Sequence, residues 1–527
     1  MDTKALRQKI LDLAIRGQLV PQDPADEPAS ALLERIRAEK QQMVKDGKLK
    51  AKDIKNDTVI FVGEDSLHYE KFADGSVKCI EDEIPFDLPE GWAWSRLAAL
   101  SALITKGASP KWQGVDYTSS GTMFITSENV GVETLLLDSP KFLPEKINEI
   151  QPRSILEPHD ILTNIVGASI GRTCEYTLTE SANTNQAVAI IRLIVIDMVP
   201  YIVKCLNSDY CVNLMFSNQV NVARANLSLS SLANFLMPVP PQKEMCRITA
   251  RLNCSLQCVS DIQSNEDDLH QLVLLSKAKI LDLAIRGQLV PQGPADEPAS
   301  VLLERIRSEK EALIKAGKLK RDKKESIIFK GDDNSYYLRT GELEESLDDW
   351  RFDDLPETWE ICCLGEVCDY GDCINVDTAD IDDDAWILDL EDIEKDTGVV
   401  LKKVTKAQRN SVSTKHQFHS GQVLYSKLRP YLNKVVLSDD DGYCTSEILP
   451  LEFDQCVLPA YARYYLMSGT FLAYADHCSY GVKMPRLGTA DGKKAILSLP
   501  PLAEQKRIVE TIESYFSQLN RISEALI

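Results

Sequence analysis

Apolar residues recur every three or four positions through a long stretch near the middle of the chain. This spacing is typical of one face of an α-helix, and it predicts a single helix over residues 243–285. With a rise of about 1.5 Å per residue, a helix of that length is a rod of roughly 60 Å. The apolar positions in its first half are Ile248, Leu252, Leu256, Val259 and Ile262.

The same pattern returns at the end of the chain, shifted by 260 positions. Residues 503–527 therefore repeat the first half of the central helix, and residues 1–17 repeat its second half. We expect the two terminal helices to meet end to end and to form a second long helix. Because the long helices share an apolar seam, antiparallel coiled-coil pairing between them is expected.

A direct repeat underlies this pattern. Residues 9–50 and 279–320 are identical at 34 of 42 positions. A Leu-Pro-Glu-x-Trp segment also occurs twice, at 88–92 and 355–359. Self-similarity at a fixed offset indicates a duplicated architecture. The predicted fold class is α+β, with two similar mixed α/β blocks separated by long antiparallel helices, a pseudo-two-fold repeat and a circular arrangement.

The repeat also predicts the domain boundaries. Helical regions are expected at 1–50, 242–320 and 502–527, the last pairing with the central helix. Hairpin-like linkers are expected at 51–87 and 321–354. The globular blocks are expected at 88–241 and 355–501. Near-identical helices between divergent blocks favour a spacer of fixed length over a dimerisation strut alone.

Composition narrows the class of protein. The chain has 527 residues, 59 basic and 80 acidic, and a net charge of −21. Such a charge argues against non-specific nucleic-acid binding. No apolar run is long enough to span a membrane. The 14 cysteines are expected to be free thiols without metal, which favours a cytoplasmic protein.

One segment of the chain is strongly basic, although the chain as a whole is acidic. Residues 398–438 contain eight Lys or Arg residues and no Asp or Glu. Such a patch is the electrostatic footprint of a phosphate backbone, although a solvated basic face is the alternative. A second basic cluster, Lys483-Met-Pro-Arg486, lies in a turn-rich stretch that could enter a groove.

In the first block, residues 155–166 are expected to form a strand, as are 121–126 and 186–196. A glycine-containing turn follows, in which Ser169 and Arg172 could reach a phosphate. A simple β-hairpin turn explains the same pattern. Lys106 and Lys111 form a second candidate set, for which a solvated loop is the alternative.

Several sequence motifs of enzymes are missing. The chain contains no H-E-x-x-H, P-loop or G-x-G-x-x-G, and no Asp/Asn-Pro-Pro-Tyr/Phe motif of the kind that an adenine methyltransferase uses to hold its flipped base. This favours a non-catalytic protein.

These features together resemble the specificity subunits of type I restriction-modification systems, over essentially the full length. The duplicated Ile-Leu-Asp-Leu-Ala-Ile-Arg-Gly-Gln-Leu-Val-Pro-Gln segments carry the resemblance most strongly. The stretch Leu424–Lys434 and the C-terminal Leu-Pro-Pro-Leu-Ala-Glu-Gln-Lys-Arg-Ile also match. His159 and Gln422 depart from the family pattern, which leaves the DNA-contacting turn residues less certain.

The resemblance implies a DNA-binding subunit of a host-defence complex. Each block would be a target recognition domain that reads one half of a bipartite double-stranded DNA sequence. The helices would set the spacer and dock two modification (M) subunits. Those subunits would hold S-adenosylmethionine and methylate adenine N6, and restriction (R) subunits would use ATP and Mg. This chain would carry no cofactor, no metal and no catalysis.

Within the family, the candidate residues divide by the type of contact they would make. In the second block, the phosphate candidates are Lys402, Lys403, Lys406, Arg409 and Lys434. The base-edge candidates are Lys427, Arg429, Asn433, Lys483 and Arg486. In the first block, the candidates are Lys106, Lys111, Asn164, Ser169 and Arg172.

Two rival interpretations stay open at this point. The net charge favours an acidic coiled-coil adaptor with two protein-binding heads, or a mimic of DNA. An enzyme with an unrecognised site in one block is the other rival. Cofactor binding by the isolated chain would favour the enzyme.

Overall fold

The computed structural model describes residues 2–217, 226–317, 326–331, 333, 335–347, 355–409 and 412–525. Two compact units are present, Met1–Asn265 and Glu266–Ile527. The boundary between them falls inside the longest helix. Both units mix helices with small sheets, in agreement with the predicted α+β class.

The first unit begins with two helices and a small sheet, followed by a globular block. Its helices are α1 (Thr3–Ile15), α2 (Ala29–Lys45), α3 (Leu97–Leu100), α4 (Ile147–Ile150), α5 (Val199–Leu206), α6 (Asp209–Ser217), α7 (Leu229–Ala233) and the start of α8 (Gln242–Ile285). Its strands are β1 (Val59–Val62), β2 (His68–Lys71), β3 (Val77–Cys79), β4 (Ala93–Arg96), β5 (Ser101–Lys106), β6 (Thr122–Ile125), β7 (Lys141–Leu143), β8 (Ile161–Asn164), β9 (Thr173–Glu175), β10 (Ala182–Thr184), β11 (Val188–Leu193) and β12 (Leu236–Val239).

The second unit follows the same order. After the end of α8, its helices are α9 (Ala299–Lys315), α10 (Leu364–Val367), α11 (Pro459–Leu466), α12 (Gly469–Cys478), α13 (Thr489–Lys494) and α14 (Leu502–Glu524). Its strands are β13 (Ser326–Lys330), β14 (Tyr336–Thr340), β15 (Leu343–Ser346), β16 (Glu360–Cys363), β17 (Ile374–Val376), β18 (Ile387–Leu388), β19 (Lys415–Phe418), β20 (Val423–Ser426), β21 (Val435–Leu437), β22 (Gly442–Thr445), β23 (Ile448–Leu451) and β24 (Ile496–Leu499).

Each globular block has two sheets and a closing strand pair. In the first unit the sheets have strand orders β5-β11-β8-β9 and β10-β6-β7, and in the second β17-β19-β22-β18 and β21-β20-β23. Strand β4 pairs antiparallel with β12, and β16 with β24. The first and last strands of each block therefore lie side by side, next to the helices that precede and follow the block.

Helices and block share one apolar core within each unit. In the first unit, Leu11 and Leu32 join Trp92 and Ile248 in this core. The second unit buries the corresponding residues, among them Leu281, Leu302, Trp359 and Ile508. A fully buried Ile or Leu side chain contributes about 1.5–3 kcal/mol, so the helical stripe stabilises the attachment of each block to its own helices.

The predicted long helix is confirmed to within one residue, as α8. The hairpin-like linkers differ from the prediction, because each contains a third strand: β1-β2-β3 in the first unit and β13-β14-β15 in the second. The strand expected over 155–166 is limited to β8, since His159 just before it has φ +72°. Residues 318–325, 332, 334 and 348–354 of the second linker region lie outside the described part.

Coiled-coil pairing, the end-to-end meeting of the terminal helices and the block boundaries remain predictions. No described helix is long and apolar enough to cross a membrane.

Candidate nucleic-acid interface

Two loops of the second unit lie together on its surface. Residues 427–433 connect β20 to β21, and residues 480–487 follow α12. The backbone N–H of Arg429 donates to the Pro485 carbonyl at 2.7 Å, and that of Leu487 donates to the Lys427 carbonyl at 3.0 Å. We call residues 427–433 and 480–487 the second-unit loop surface.

The backbone of the first of these loops takes an uncommon shape. Arg429 and Asn433 have φ of +51° and +49° on either side of a single 3-10 turn, Pro430–Leu432. A left-handed backbone is uncommon at residues other than glycine, and it costs on the order of 1 kcal/mol. Such positions concentrate at functional sites. The exposed Arg429 side chain is therefore presented by a fixed turn.

Three cations of this surface are available to a ligand. In the part of the chain that the structure describes, the side chains of Lys427, Arg429 and Lys483 make no hydrogen bond or ion pair, although the charge of Lys427 contributes to the lowered pKa of Glu447. Arg429 and Lys483 are exposed, and Lys427 is half-buried. Arg and Lys can pair with phosphates or with the O6 and N7 atoms of guanine.

Exposed apolar side chains lie among these cations. Tyr431 is 50% exposed and Tyr480 is 62% exposed, and Val482 and Met484 are also exposed. Aromatic rings can stack on bases, and apolar groups can contact thymine methyl groups. The charge pattern of the sequence did not identify Tyr431, Tyr480 or Val482. Their signal was the turn-rich run 479–485.

The other candidate cations of the second block are paired with carboxylates or carbonyls of their own unit. Lys403 contacts Asp439 at 2.9 Å and Asp440 at 3.3 Å. Lys406 lies 3.3 Å from Asp383. Lys402 is exposed and lies 3.7 Å from Asp392.

Arg409 is the most strongly neutralised of these cations. Its guanidinium group lies 2.6 Å from Asp389 and 3.3 Å from Glu391, and it also pairs with the fully buried Asp392. The arginine side chain is only 11% exposed. A phosphate contact by Arg409 would require breaking this cluster, so the structure does not place it with the available cations.

Lys434, Asn433 and Arg486 are also turned toward the protein. The Lys434 ammonium group donates to the Leu390 carbonyl at 2.6 Å, and burial lowers its pKa. Asn433 is buried, with its amide donating to the Met467 carbonyl at 3.2 Å. Arg486 pairs with Glu447 at 2.8 Å, and this lowers the pKa of that carboxyl group. Asn433 is thus a loop-shaping residue, and base contact by its side chain would need a rearrangement.

The first unit has a similar loop after β8. Gly167 and Gly171 have φ of +81° and +94°, and Gly167 begins the 3-10 turn Gly167–Ser169. The N–H of Leu227 donates to the Ile165 carbonyl at 2.9 Å, which matches the bond between Leu487 and Lys427. Residues 218–225, which come shortly before Leu227 in the chain, lie outside the described part.

The candidates of the first unit are not all at the surface. Arg172 is exposed and Ser169 is half-buried in this loop. Asn164 is fully buried, and its amide donates to the Ser127 carbonyl at 2.9 Å, so the structure does not support the prediction that its side chain contacts DNA. Lys106 ends β5 and Lys111 lies in a separate 3-10 turn, and both are exposed.

Metal binding has no visible site in the described residues. No group of three or more His, Cys, Asp or Glu side chains there is arranged to hold a metal ion. Burial raises the pKa of the thiols of Cys174, Cys205 and Cys456 to about 12, which keeps these thiols protonated at neutral pH.

Comparisons with known proteins relate this chain to a family. A family model described as the type I restriction modification DNA specificity domain matches residues 356–527. The specificity subunit of the Escherichia coli type I restriction enzyme EcoEI is 25% identical, over 99% of this chain and 90% of its own length. The EcoAI specificity subunit of the same organism is 26% identical, over 70% of this chain and 62% of its own.

This chain is also similar to one chain of a solved structure, with a TM-score of 0.49 and 14% sequence identity. That structure is described as showing complex assembly and conformational transition of the type I R-M system. The match covers 84% of this chain and 94% of that one.

The second block and the helix that follows it thus match the model of a DNA specificity domain. The resemblance inferred from the sequence is confirmed, and the chain is a relative of the type I restriction-modification specificity subunits.

Proposed function

We propose that this chain is the DNA-recognition subunit of a type I restriction-modification complex, in which each block reads one half of a bipartite target. The observation that carries the proposal is the second-unit loop surface, where Lys427, Arg429 and Lys483 are available beside exposed aromatic side chains. The full-length similarity to specificity subunits supports it.

The rest of the complex would supply the chemistry. Two M subunits would dock on the helices and hold S-adenosylmethionine for adenine N6 methylation. R subunits would bind ATP and Mg and act on unmodified DNA. In this proposal the chain is non-catalytic, the helices form an antiparallel pair that sets the spacer between half-sites, and the complex works in the cytoplasm.

The test is co-expression with the modification subunit of the same system, followed by single-molecule sequencing of host DNA for N6-methyladenine. We expect a gapped two-part motif. Replacing residues 355–501 by the corresponding block of a relative with another target should change one half of the motif. Replacing 88–241 is the matched control and should change the other half.

Two results would oppose the proposal. A continuous motif that changes in both halves on either replacement would contradict one block per half-site. Failure to form a complex or to bind DNA would favour the acidic adaptor or DNA mimic, an alternative suggested by the net charge of −21.

A further inference from the structure

The same buried carboxylate occurs at the start of the helix that follows each block. Glu244 lies in the first turn of α8 and is 1% exposed, and Glu504 lies in the first turn of α14 and is 0% exposed. Buried carboxylates are rare unless they are hydrogen-bonded. A pair of them at corresponding positions therefore calls for a specific role.

In the first unit, Glu244 joins three segments that are distant in sequence. Gln22, in the link after α1, donates to one carboxylate oxygen at 3.2 Å. The indole N–H of Trp92, at the start of the block, donates to the other oxygen at 3.1 Å. Glu244 itself belongs to the helix that leaves the block. One side chain thus ties the link, the block and the helix together.

The second unit repeats the arrangement in part, because one of the two Glu504 carboxylate oxygens has no hydrogen-bond partner among the described residues. Gln292 donates to Glu504 at 2.7 Å, and the hydroxyl of Thr358 donates to Gln292 at 3.0 Å. Trp359 also lies beside the Glu504 carboxyl group, although its indole nitrogen makes no hydrogen bond. Burial raises the pKa of both carboxyl groups, and these polar neighbours oppose the rise.

An ion pair reinforces each junction one helical turn further on. Arg247 contacts Asp26 at 2.7 Å, and Arg507 contacts Asp296 at 2.6 Å. The side chain of Asp26 is only 3% exposed. These pairs also connect the link to the helix, so each block is held to its helices by more than apolar packing.

These junction residues occur in both copies, whereas the blocks around them have diverged. The loops that read bases can diverge while the junction residues stay the same, if the junction has a function that both blocks require. A target with two half-sites sets such a task. Adding one base pair to the spacer moves a half-site by about 3.4 Å along the DNA and rotates it by about 35°. A block free to tilt on its helices would tolerate this change.

We propose that Glu244 and Glu504 are positioning residues that fix the orientation of each block on its helices and thereby restrict the spacer length the complex accepts. The inference rests on the proposed function, because it presupposes a bipartite target. Neither residue is placed in contact with DNA. They act by orienting the loops that contact DNA.

The experiment measures methylation by the assembled complex on DNA with the half-sites at the native spacing and at one base pair more or less. The variants are Glu244→Gln and Glu504→Gln, which keep the side-chain volume but replace the carboxylate by an amide. In Glu244→Gln the amide N–H₂ faces the donor of either Gln22 or Trp92, and in Glu504→Gln the hydrogen bond from Gln292 loses its charged acceptor. We expect native-spacer methylation to fall less than about threefold, while the off-spacer to native-spacer ratio rises about tenfold, a factor that corresponds to about 1.4 kcal/mol.

Glu27→Gln is the matched control. Glu27 lies in the same link and pairs with Arg35 at 2.6 Å, but both side chains are about half exposed. This substitution should leave the spacer profile unchanged. If the Glu244 variant does not assemble, Asp26→Asn at the edge of the same junction provides the second measurement and should broaden the profile in the same direction.

An equal loss at all spacings, or an unchanged profile in complexes that assemble, would overturn the inference and leave a purely structural role. The proposed function is tested separately by the unsubstituted complex. If that complex methylates without any spacer preference, the bipartite target itself is wrong.

Discussion

A basic side chain is most available to DNA when no ion pair within its own protein already engages it. Arg409 and Arg429 belong to the same acid-free segment of sequence, but their surroundings differ. Arg409 is enclosed by Asp389, Glu391 and Asp392, whereas the exposed Arg429 has no acidic partner in the described part of the chain. The two residues should respond to substitution in opposite ways.

Replacing Arg429 should weaken DNA binding without unfolding the block. We expect Arg429→Ala to cost about 1–3 kcal/mol of affinity for the target and to relax specificity at one base pair. Arg429→Gly should lose the same affinity but be about 1 kcal/mol more stable than the Ala variant, because glycine adopts a positive φ without strain. Fluorescence anisotropy of the assembled complex and urea unfolding measure the two effects.

Lys403→Ala is the control for this pair, since Lys403 is already engaged by Asp439. The affinity of the Lys403→Ala complex for target DNA should stay within about twofold of that of the unsubstituted complex. This change is smaller than the effect of losing one base contact. Normal affinity in Arg429→Ala, together with weak binding in Lys403→Ala, would show that the wrong cations have been assigned to DNA.

Replacing Arg409 should instead destabilise the second unit. Arg409→Gln removes the cation that faces the fully buried Asp392, and breaking a buried ion pair costs roughly 3 kcal/mol. Lys403→Gln removes a solvent-exposed pair and should cost less than about 1 kcal/mol. Chemical denaturation, monitored by Trp fluorescence, measures the free energy of unfolding of the two variants. Equal values for Arg409→Gln and Lys403→Gln would contradict the buried cluster.

The sequence could predict that the second block carries a basic segment, but not which of its cations are available. The neutralising groups come from other parts of the chain: Asp389 and Asp392 lie before the segment and Asp439 follows it. Only tertiary structure brings them together. Burial of Asn164 and Asn433 was hidden for the same reason, because each lies at a loop edge whose exposure depends on neighbouring strands and helices.

At the scale of elements, a glycine marks the end of each helix that leads to a block. Gly17 and Gly287 have φ of +66° and +68°, the left-handed backbone common just past a helix C-terminus. Each also lies against the start of its block. A Cβ atom at Gly17 would lie 2.5 Å from the Pro89 side chain, and one at Gly287 would lie 2.4 Å from that of Pro356.

Gly17→Ala should therefore destabilise the first unit more than an ordinary loss of a C-terminal glycine. We expect about 1 kcal/mol from the left-handed backbone and a further 1–3 kcal/mol or so from overpacking against Pro89. Gly47→Ala is the matched control, because Gly47 has φ +75° and open space around it. Equal free energies of unfolding for the two variants would show that the contact with Pro89 is not tight.

Periodicity predicted the helices well, because their apolar stripes and flanking glycines are local signals. The predicted central helix and α8 differ by one residue at one end. The small sheets were harder. The third strand of the first linker, Val77–Cys79, is exposed along its whole length, so no alternation of buried and exposed residues marks it. The turn after β20 was also hidden, since Arg429 and Asn433 stand where Gly167 and Gly171 would signal a turn.

At the scale of the whole molecule, the net charge of −21 must be reconciled with a DNA-binding role. Lys427, Arg429 and Lys483 are a small positive surface on an acidic protein, and long-range repulsion from the remaining carboxylates opposes the approach of DNA. Within the proposed complex, partner subunits would add positive surface around the DNA. The available cations would then mainly select the sequence, while most of the affinity would come from the assembly.

This division predicts different binding by the isolated chain and by the complex with modification subunits. At the same salt concentration the isolated chain should bind target DNA roughly a hundredfold or more weaker, since it makes few phosphate contacts. The logarithm of affinity should also fall less steeply with the logarithm of salt concentration, by roughly 0.9 for each phosphate contact the partners supply. Titrations of labelled DNA over a series of salt concentrations measure both quantities. Equal affinity and equal slopes would mean that this chain provides the electrostatic attraction by itself, in spite of its acidic total.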